Sequence, residues 1–508
     1  MSILKGLLWV LDCIVVAYFL MYAGTNLLLL VISAFKVRRD LLLSQIFHDR
    51  AKTVEGDASF APLISLLVPA YNEEVTIVES VRSLLRLRYP HYEIVMVNDG
   101  SKDTTVEVLK KAFEMVRSDV DYNPQLGAMP IRGFYRAGIE LPPSVTRLVL
   151  VDKENGGKAD AINAGINCSQ GTYVATMDAD SLMIDQALIE TVQPILDDPN
   201  GVVASGGQIA LSNGCKVEGG RVTEVHLPKK WIARFQVVEY MRSFTQSRTA
   251  LGELNSLLIL SGVFAIFQRA SVIASGGFLT KHMRSRIGQE YCGVGAETVC
   301  EDMEIVVRLH RYLMDHGSSG RVVFLPFPTS WTEAPEIWQS LGKQRNRWYR
   351  GLLEVLWYHR KMMLRPRYGR IGLFALPYQL FFEAAAPVIE MLGYFMLPLS
   401  WLTGLLSAQA LLAFMGLALA FNLFLSAGSV MVSIMRVRLR KTSTQEVALF
   451  GYRGAKSVLI MVFAGLISNL GYRQYLLYWQ IKGLRDFLAG RKSWDKFARQ
   501  GFGPQPAK

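Results

Sequence analysis

The chain has 508 residues, enough for one large catalytic domain with additional segments. Hydrophobic residues make up 51% of it and charged residues 19%; this balance is on the apolar side for a soluble enzyme and indicates membrane spans. The net charge of +12 does not indicate nucleic acid, because the basic residues cluster where apolar stretches end. The five cysteines show no paired metal-ligand spacing, so we interpret them as reduced thiols.

The N-terminal segment predicts a retained membrane anchor. Residues 7–35 are almost uninterrupted apolar sequence that contains one acid, Asp12. This stretch is too long for the core of a signal peptide, and it has no small-residue cleavage pattern. The Lys-Val-Arg-Arg run that follows places residue 36 onward in the cytoplasm. We therefore expect a transmembrane anchor at residues 1–36.

The middle of the chain, residues 37–337, is expected to form a cytoplasmic domain of the α/β class. Its predicted strands are 63–68, 93–97, 148–151 and 173–177, and its predicted helices are 74–87, 103–116 and 157–168. This alternation implies a mainly parallel sheet with helices on both faces. Ligands bind such sheets beyond the carboxyl ends of the strands, so we searched the loops at those ends for functional side chains.

The C-terminal third predicts a second membrane region. Residues 338–370 are amphipathic and rich in Trp, Arg and Tyr, which is typical of helices at the membrane interface. Three apolar stretches follow, at residues 373–404, 409–435 and 457–481. The last of them is interrupted by Asn469 and Arg473. We expect a transmembrane region at 371–482 and a basic cytoplasmic tail at 483–508.

The number of crossings stays open at this point. One anchor plus three full crossings would place the basic tail outside the cytoplasm, against the positive-inside rule. Either the last apolar stretch is interfacial or re-entrant, or the first is more complex than one span.

Loops that carry an acid follow the first two predicted strands. The first loop contains Tyr71 and Glu73, and the second is an Asn-Asp-Gly-Ser turn that contains Asp99. Polar side chains in such loops can hydrogen-bond a nucleotide base and ribose. Each loop alone is most often only a turn, but the two together favour a nucleotide site.

A Glu-Asn-Gly-Gly-Lys run ending at Lys158 leads into the third predicted helix. Two glycines before a helix let backbone N–H groups approach an anion, and the lysine adds a point charge suited to phosphate. The run is not a P-loop, because the Ser/Thr after the lysine and the leading glycine spacing are missing. The alternative is a helix-entry turn with a solvated lysine.

Two carboxylates, Asp178 and Asp180, directly follow the apolar strand predicted at 173–177. Carboxylates one residue apart at a strand end can share a divalent cation, whereas burial without one would impose like-charge repulsion. Oxygen-only ligation beside a diphosphate suits Mg²⁺ or Mn²⁺. The alternative is an exposed acidic turn.

Two later motifs complete the set. Glu301 and Asp302 open a helix, where a carboxylate could take a proton from an attacking hydroxyl or could simply complement the helix dipole. Gln344, Arg347 and Trp348 lie on the amphipathic segment before the first C-terminal span. The arginine could stabilise a departing diphosphate and the tryptophan could stack on a sugar ring, or both could anchor the interface.

In this order the motifs resemble the family 2 glycosyltransferases, specifically the membrane-embedded synthases of cellulose, chitin, hyaluronan and poly-N-acetylglucosamine. The resemblance covers about residues 60–350. It implies a glycosyltransferase-A fold with a Rossmann-like sheet, accompanied by transmembrane and interfacial helices. It also implies a nucleoside-diphosphate sugar donor (usually UDP), a divalent metal and inversion at the anomeric carbon.

The resemblance further implies a role for each matching residue. The implied substrate-binding residues are Tyr71, Glu73 and Asp99 at the uridine, and Lys158, Asp178, Glu301, Gln344, Arg347 and Trp348 around the phosphates and sugars. The implied metal ligands are Asp178 and Asp180. The implied catalytic residues are Asp302, as the base, and Arg347. The three fixed letters of the Gln-x-x-Arg-Trp signature, associated with processive synthases, are all present.

The function implied is a metal-dependent, inverting transfer from a UDP-sugar to a growing polysaccharide, with export across the bacterial inner membrane. Such an enzyme would be a multi-pass protein of the lipid bilayer with a cytoplasmic catalytic domain, and accessory or export subunits are further partners. Two alternatives stay open: a transferase that adds one sugar to a polyprenyl phosphate or glycolipid, and a non-catalytic membrane scaffold. The segment 210–300, helical-looking at 232–260, has no chemical assignment.

Overall fold

A computed structural model describes residues 2–42, 61–318, 320–439, 452 and 454–491. Residues 492–508 of the predicted basic tail therefore lie outside the described residues. The first helix, α1, is Ser2–Leu42, so the anchor expected at residues 1–36 continues as helix beyond its predicted end.

A ten-stranded sheet forms the centre of the part of the globular region that the structure describes. The strands are β1 Ile64–Ala70, β2 Tyr92–Asp99, β3 Val116–Arg117, β4 Ile131–Arg136, β5 Val145–Lys153, β6 Tyr173–Met177, β7 Leu182–Met183, β8 Val202–Leu211, β9 Lys216–Glu218, β10 Arg221–Glu224, β11 Phe264–Gln268 and β12 Arg321–Thr332. Their spatial order is β3-β4-β5-β2-β1-β6-β11-β8-β12-β7, and β9 and β10 form a separate antiparallel hairpin.

The α/β class is confirmed, but the sheet is mixed. Parallel pairing joins β5, β2, β1 and β6 in its middle and also joins β8 to β12. Strands β4, β7 and β11 run antiparallel to their neighbours. The parallel strands in the middle are those the sequence predicts, whereas β11 emerges from the long segment whose organisation the sequence does not reveal. The expectation of a mainly parallel sheet thus holds for the middle and for the pair β8 and β12.

The remaining helices pack around the sheet or extend beyond it. They are α2 Ile77–Leu84, α3 Thr105–Ala112, α4 Lys158–Cys168, α5 Ala187–Asp197, α6 Trp231–Tyr240, α7 Thr249–Glu253, α8 Arg269–Ala274, α9 Arg286–Cys292, α10 Glu301–Asp315, α11 Trp338–Tyr358, α12 Leu376–Tyr378, α13 Ala386–Leu402, α14 Ala408–Leu439, α15 Ala455–Ile467 and α16 Tyr472–Leu488. Short 3₁₀ turns are Arg360–Met362 and Pro366–Tyr368, and π-helical segments are Met241–Arg248, Ile371–Ala375 and Gln379–Ala384.

The central strands are apolar along their whole length because both faces of the sheet are covered. Successive residues of β1 show this: Leu66 packs in one hydrophobic cluster with Val81 of α2, and Leu67 packs in another with Ile162 of α4. Side chains of a strand alternate between the two faces, so a strand buried on both sides reads as a continuous apolar run. This burial makes the central strands visible in the sequence.

Three of the described helical stretches are long and apolar enough to cross a membrane: Lys5–Leu42, Ile371–Leu402 and Ala408–Ile434. The last predicted apolar stretch instead forms two helices, α15 and α16, bent by 54° between them. The bend contains Asn469 and Gly471, whose φ of +93° favours glycine, and Arg473 follows it. The polar interruption in the sequence therefore marks an elbow in the structure.

The last helix, α16, lies along α11. A Cβ added to Gly342 of α11 would overlap the ring of Trp479, and one added to Gly483 of α16 would lie 3.0 Å from the carbonyl oxygen of Asn346. Asn346 also donates a hydrogen bond of 3.0 Å to Asp486. Glycine at both positions allows the two helices to approach closely, so α16 stays on the same side of the molecule as α11.

Candidate active site

A cavity of about 1200 Å³ extends from the carboxyl ends of the central strands to the helices that could cross a membrane. Its far end is lined by Tyr18 of α1, Glu390 and Tyr394 of α13 and Arg473 of α16. All the site residues predicted from sequence line it: Tyr71, Glu73, Asp99, Lys158, Asp178, Asp180, Glu301, Asp302, Gln344, Arg347 and Trp348. Motifs spread over much of the chain therefore share one cavity.

The loops after β1 and β2 are bound to each other. The backbone N–H of Asn72 donates to the hydroxyl of Ser101 at 3.0 Å, and that of Glu73 donates to the hydroxyl of Thr105 at 2.8 Å. Asn72 has a φ of +53°, a conformation that asparagine tolerates better than most residues. These contacts fix the backbone directly after Tyr71, which lies at the cavity wall.

The carboxylate of Asp99 is hydrogen-bonded to the loop that precedes α4. It accepts hydrogen bonds from the backbone N–H groups of Gly156 at 2.9 Å and Gly157 at 2.8 Å, and from the ammonium of Lys153. Burial raises the pKa of Asp99, although the ammonium and the two N–H groups favour its charged form. The predicted uridine residue therefore also orients the glycine loop, and its contact with a nucleotide stays a prediction.

Lys153 supports the predicted site residues but was not itself predicted from the sequence. It is fully buried at the end of β5, where its ammonium pairs with Asp99 and, at 2.7 Å, with Asp160 of α4. A buried ammonium needs such partners, because its desolvation costs several kcal/mol. The signal in the sequence is a lysine at the end of an apolar strand, directly before the Glu-Asn-Gly-Gly run.

Lys158 joins the Asp178–Asp180 motif to the start of α10. Its ammonium lies 2.6 Å from the carboxylate of Asp178 and 2.8 Å from that of Glu301. Burial opposes its charge, but the two carboxylates outweigh burial and raise the pKa of Lys158. The lysine that was predicted to meet phosphate is therefore paired with two carboxylates.

Asp302 lies beside the ion pair that Lys158 forms with Glu301. One carboxylate oxygen accepts from the backbone N–H of Gly262 at 3.1 Å, and the other accepts from that of Met303 at 2.8 Å. Burial, and then the neighbouring charge of Glu301, raise the pKa of Asp302 to about 6. A carboxylate with its pKa near neutrality, at a cavity wall, is suited to accept a proton from a ligand hydroxyl.

Helix α11 brings its motif to the same place because it packs directly against the residue before Glu301. A Cβ on Gly351 would overlap the thiol of Cys300, which donates a weak hydrogen bond to the carbonyl oxygen of Trp348 at 3.8 Å. Burial opposes ionisation of Glu301, but Lys158 and then Arg347 hold its pKa below the usual value. The guanidinium of Arg347 therefore acts electrostatically on the acid next to Asp302.

The ring of Trp348 is held by stacking. The guanidinium of Arg345 lies 4.4 Å from its centroid and pairs with Glu239 at 2.9 Å. The tryptophan is 37% exposed and lines the cavity. An aromatic face held in this way is suited to stack on a sugar ring.

Asp178 and Asp180 fit a divalent cation. Asp180 is buried, and burial together with the charge of Asp180 raises the pKa of Asp178 against the opposing effect of Lys158. Two neighbouring carboxylates that repel each other are stabilised by a hard cation with oxygen ligands. The donor set therefore suits Mg²⁺ or Mn²⁺, which would bind where the strand end meets the cavity.

A second cluster of possible metal ligands, formed by a cysteine, a glutamate and a histidine, does not fit a metal. Ligand atoms of Cys292, Glu304 and His359 lie within 4.8 Å of one another. However, Arg308 donates to both carboxylate oxygens of Glu304, at 2.7 and 2.8 Å. The guanidinium already neutralises the carboxylate, so we interpret this cluster as a buried ion pair that packs α10 against the end of α11.

The segment 210–300 also contributes to the cavity, through the π-helical Met241–Arg248, which we call the π segment. Arg242, Ser243, Ser247 and Arg248 line the cavity from it. Nothing in the sequence marks them, because their approach depends on how the π segment packs between distant helices.

Comparisons with known proteins agree on one family. The family described as glycosyl transferase family 2 matches residues 65–124, and the one described as glycosyltransferase like family 2 matches residues 135–351. These two matches include every predicted site residue.

Two curated relatives are named as synthases. The chain is 26% identical over 297 residues to a poly-beta-1,6-N-acetyl-D-glucosamine synthase of Staphylococcus aureus (strain COL), covering 58% of this chain and 55% of the relative. It is 25% identical over 314 residues to the protein of that name from Staphylococcus epidermidis (strain ATCC 35984), covering 61% and 59%. The chain thus spans little more than half the length of these relatives.

Among solved structures, a mannosyltransferase from Pyrobaculum calidifontis in complex with GDP-Man and Mn²⁺ is similar. The sequences are 19% identical, the TM-score is 0.48, and the match covers 81% of this chain and 100% of the other.

The buried ammonium of Lys153 should be essential to the stability of this site. We expect Lys153→Met to destabilise the fold by about 3–5 kcal/mol, because it leaves two buried carboxylates without their counter-charge. Thermal unfolding in detergent measures the change, and Lys216→Met is the matched control, since Lys216 forms exposed ion pairs only. Equal unfolding midpoints for the two variants would contradict the assignment.

Proposed function

Because the chain is a family 2 glycosyltransferase of the synthase type, we propose that it transfers a hexosyl unit from a UDP-sugar to a growing polysaccharide. One observation carries the proposal: the cavity that contains the aspartates and Trp348 continues to the helices that could cross a membrane. A polymer made at such a site has a route away from it that a short product would not need.

In the proposed mechanism Asp302 removes the proton from an acceptor hydroxyl. The hydroxyl oxygen forms a bond to C1 of the donor sugar while the bond from C1 to the diphosphate oxygen breaks on the opposite face, so the anomeric centre is inverted. UDP departs with the electron pair, and Lys158 and Arg347 stabilise its charge. Asp178 and Asp180 would hold a divalent cation, which would supply further neutralisation of the diphosphate.

The acceptor is proposed to rest on the ring of Trp348 with its terminal hydroxyl towards Asp302. Donor binding is proposed to draw the Lys158 ammonium from its two carboxylates towards the diphosphate, because phosphate oxygens are strong acceptors for it. The uridine is proposed to bind between Tyr71, Glu73 and the loop that Asp99 orients. Gln344 is proposed to contact the sugars from α11.

We propose that the protein is a multi-pass protein of the bacterial inner membrane with three full crossings and a cytoplasmic catalytic domain. With three crossings by the long apolar helices, the part of the chain that follows α14 lies in the cytoplasm. The bent pair α15 and α16 is proposed to enter and return on that side, because α16 packs along α11, which directly follows the sheet. This arrangement agrees with a cytoplasmic basic tail.

The base assignment is tested by Asp302→Asn, which keeps the size of the side chain but cannot accept the proton. We expect transfer to fall by roughly 10²–10⁴-fold, with little change in the affinity for the donor. Product formation from a panel of labelled UDP-sugars, together with donor binding measured by calorimetry, checks both parts. Undiminished polymer synthesis by this variant would rule out the role of Asp302.

The length of the product separates the proposed function from its alternatives. Polymerisation predicts long chains from the wild-type protein, whereas a single addition to a polyprenyl phosphate or glycolipid predicts one labelled sugar per acceptor. A scaffold predicts no product from any donor.

The pKa of Asp302 sets the expected pH dependence. The base must be deprotonated, and burial, followed by the charge of Glu301, raises its pKa to about 6 against the opposing effects of Lys158 and Arg248. Activity is therefore lost as the pH falls: kcat/KM should decrease about tenfold per pH unit below about pH 6 and level off above it. Initial rates between pH 5 and 8 check this, and a flat profile down to pH 5 would contradict it.

Metal dependence is tested by chelation. We expect EDTA to abolish transfer and added Mg²⁺ or Mn²⁺ to restore it, because the diphosphate needs a counter-charge as it departs. Asp180→Asn should raise the metal concentration needed for half-maximal activity. Asp198→Asn is the matched control, since Asp198 pairs with Arg321 on the surface. Full activity of the wild type in EDTA would contradict metal dependence.

A further inference from the structure

The π segment connects the helices that could cross a membrane with the catalytic cavity. Gln246 donates to Asn26 of α1 at 3.0 Å and accepts from Ser429 of α14 at 2.9 Å. Thr245 shares a hydrogen bond of 2.8 Å with Ser433 of α14. These buried contacts hold the segment in place, so the side chains that it presents to the cavity have a defined position.

Arg248 is the last residue of the π segment, and its charge has no ion-pair partner among the described residues. Its guanidinium lies over the ring of Phe244, 4.3 Å from the centroid, and the residue lines the cavity. Its Nη1 group is shielded from solvent and makes no hydrogen bond to any part of the chain that the structure describes. A buried charged donor without an acceptor costs free energy, so a hydrogen bond to a ligand oxygen would stabilise it.

The opposite charge that acts on Arg248 most strongly is Asp302. Burial lowers the pKa of Arg248 to about 10, and the carboxylate of Asp302 acts against that effect. In return the guanidinium favours the ionised form of Asp302. Arg248 and the proposed base Asp302 both line the cavity, and Arg248 does so from an element distinct from those that carry Lys158 and Arg347.

We propose that Arg248 is an acceptor-binding residue that donates a hydrogen bond to a neutral oxygen of the terminal acceptor sugar, beside the hydroxyl that Asp302 deprotonates. This inference rests on the proposed function. A hydroxyl or acetamido carbonyl oxygen suits the position better than a carboxylate or phosphate, because an anion would meet the charges of Glu301 and Asp302. The guanidinium also keeps the base ionised while the acceptor is bound.

The test uses Arg248→Gln and Arg248→Lys in the full-length protein. The acceptor probe is the wild-type product shortened to oligosaccharides by partial hydrolysis. We expect Arg248→Gln to raise the KM for this probe about 10- to 100-fold, the loss associated with one hydrogen bond to a charged group. Release of UDP without acceptor should stay within about twofold of wild type, because the donor site is intact.

The pH profile separates the charge of Arg248 from its hydrogen bond. Loss of the charge in Arg248→Gln should move the acid limb of kcat/KM to higher pH, since Asp302 loses a stabilising cation. Arg248→Lys should restore the acid limb but not the acceptor KM, because an ammonium lacks the planar donor geometry. Arg234→Gln is the matched control: Arg234 stacks on Trp231, 4.8 Å from the centroid, and donates to the carbonyl of Pro228.

The outcomes distinguish the two proposals. The role of Arg248 would be overturned if Arg248→Gln left the acceptor KM unchanged. It would also be overturned if acceptor-free UDP release fell by the same factor as the acceptor KM rose. If that variant is not recovered from membranes, the acceptor KM of Arg248→Lys decides the question in the same way. Absence of product from the wild type with every donor tested would instead overturn the proposed function.

Discussion

The Lys158 ammonium lies between two carboxylates that come from different parts of the fold, Asp178 after β6 and Glu301 at the start of α10. Without a cation, these acids together with Asp180 and Asp302 would repel one another in a partly desolvated place. The lysine therefore makes it possible for the strand end and the helix start to meet. The positions of Asp302, of the Gly262 backbone beside it and of α11 behind it all depend on that meeting.

Much of this site could be predicted from the sequence because each motif follows a local signal. Asp178 comes directly after a strand that is buried on both faces, and such strands are visible as apolar runs. Arg248 could not be found in this way, and the local signal at Lys153, a lysine at the end of an apolar strand, does not reveal its partners. The partners of Lys153 include Asp99, 54 residues away, and the position of Arg248 depends on helices from both ends of the chain. Long-range packing of this kind leaves no periodic pattern.

The same distinction explains the sheet and the last apolar stretch. The parallel middle follows strand–helix alternation, whereas β11 returns antiparallel after the π segment and two short helical pieces, which have no strand-like period. At the other end of the chain, Asn469 and Arg473 signal that the apolar stretch is interrupted. The size of the bend, 54°, and the pairing of Arg473 with Glu390 of α13 at 2.6 Å are features of the packed structure that the local sequence does not encode.

Helix α11 packs against α10 on one side and against α16 on another. Near its middle the helix holds Trp348 and Arg347 against the start of α10, and through Gly342 and Asn346 it is packed tightly to α16 beyond the elbow. Because a packed α-helix moves as a rigid rod, a displacement at the elbow would be transmitted to the tryptophan and the arginine. Under the proposed function, movement of a saccharide past Arg473 would therefore be coupled through α11 to the side chains that surround the donor.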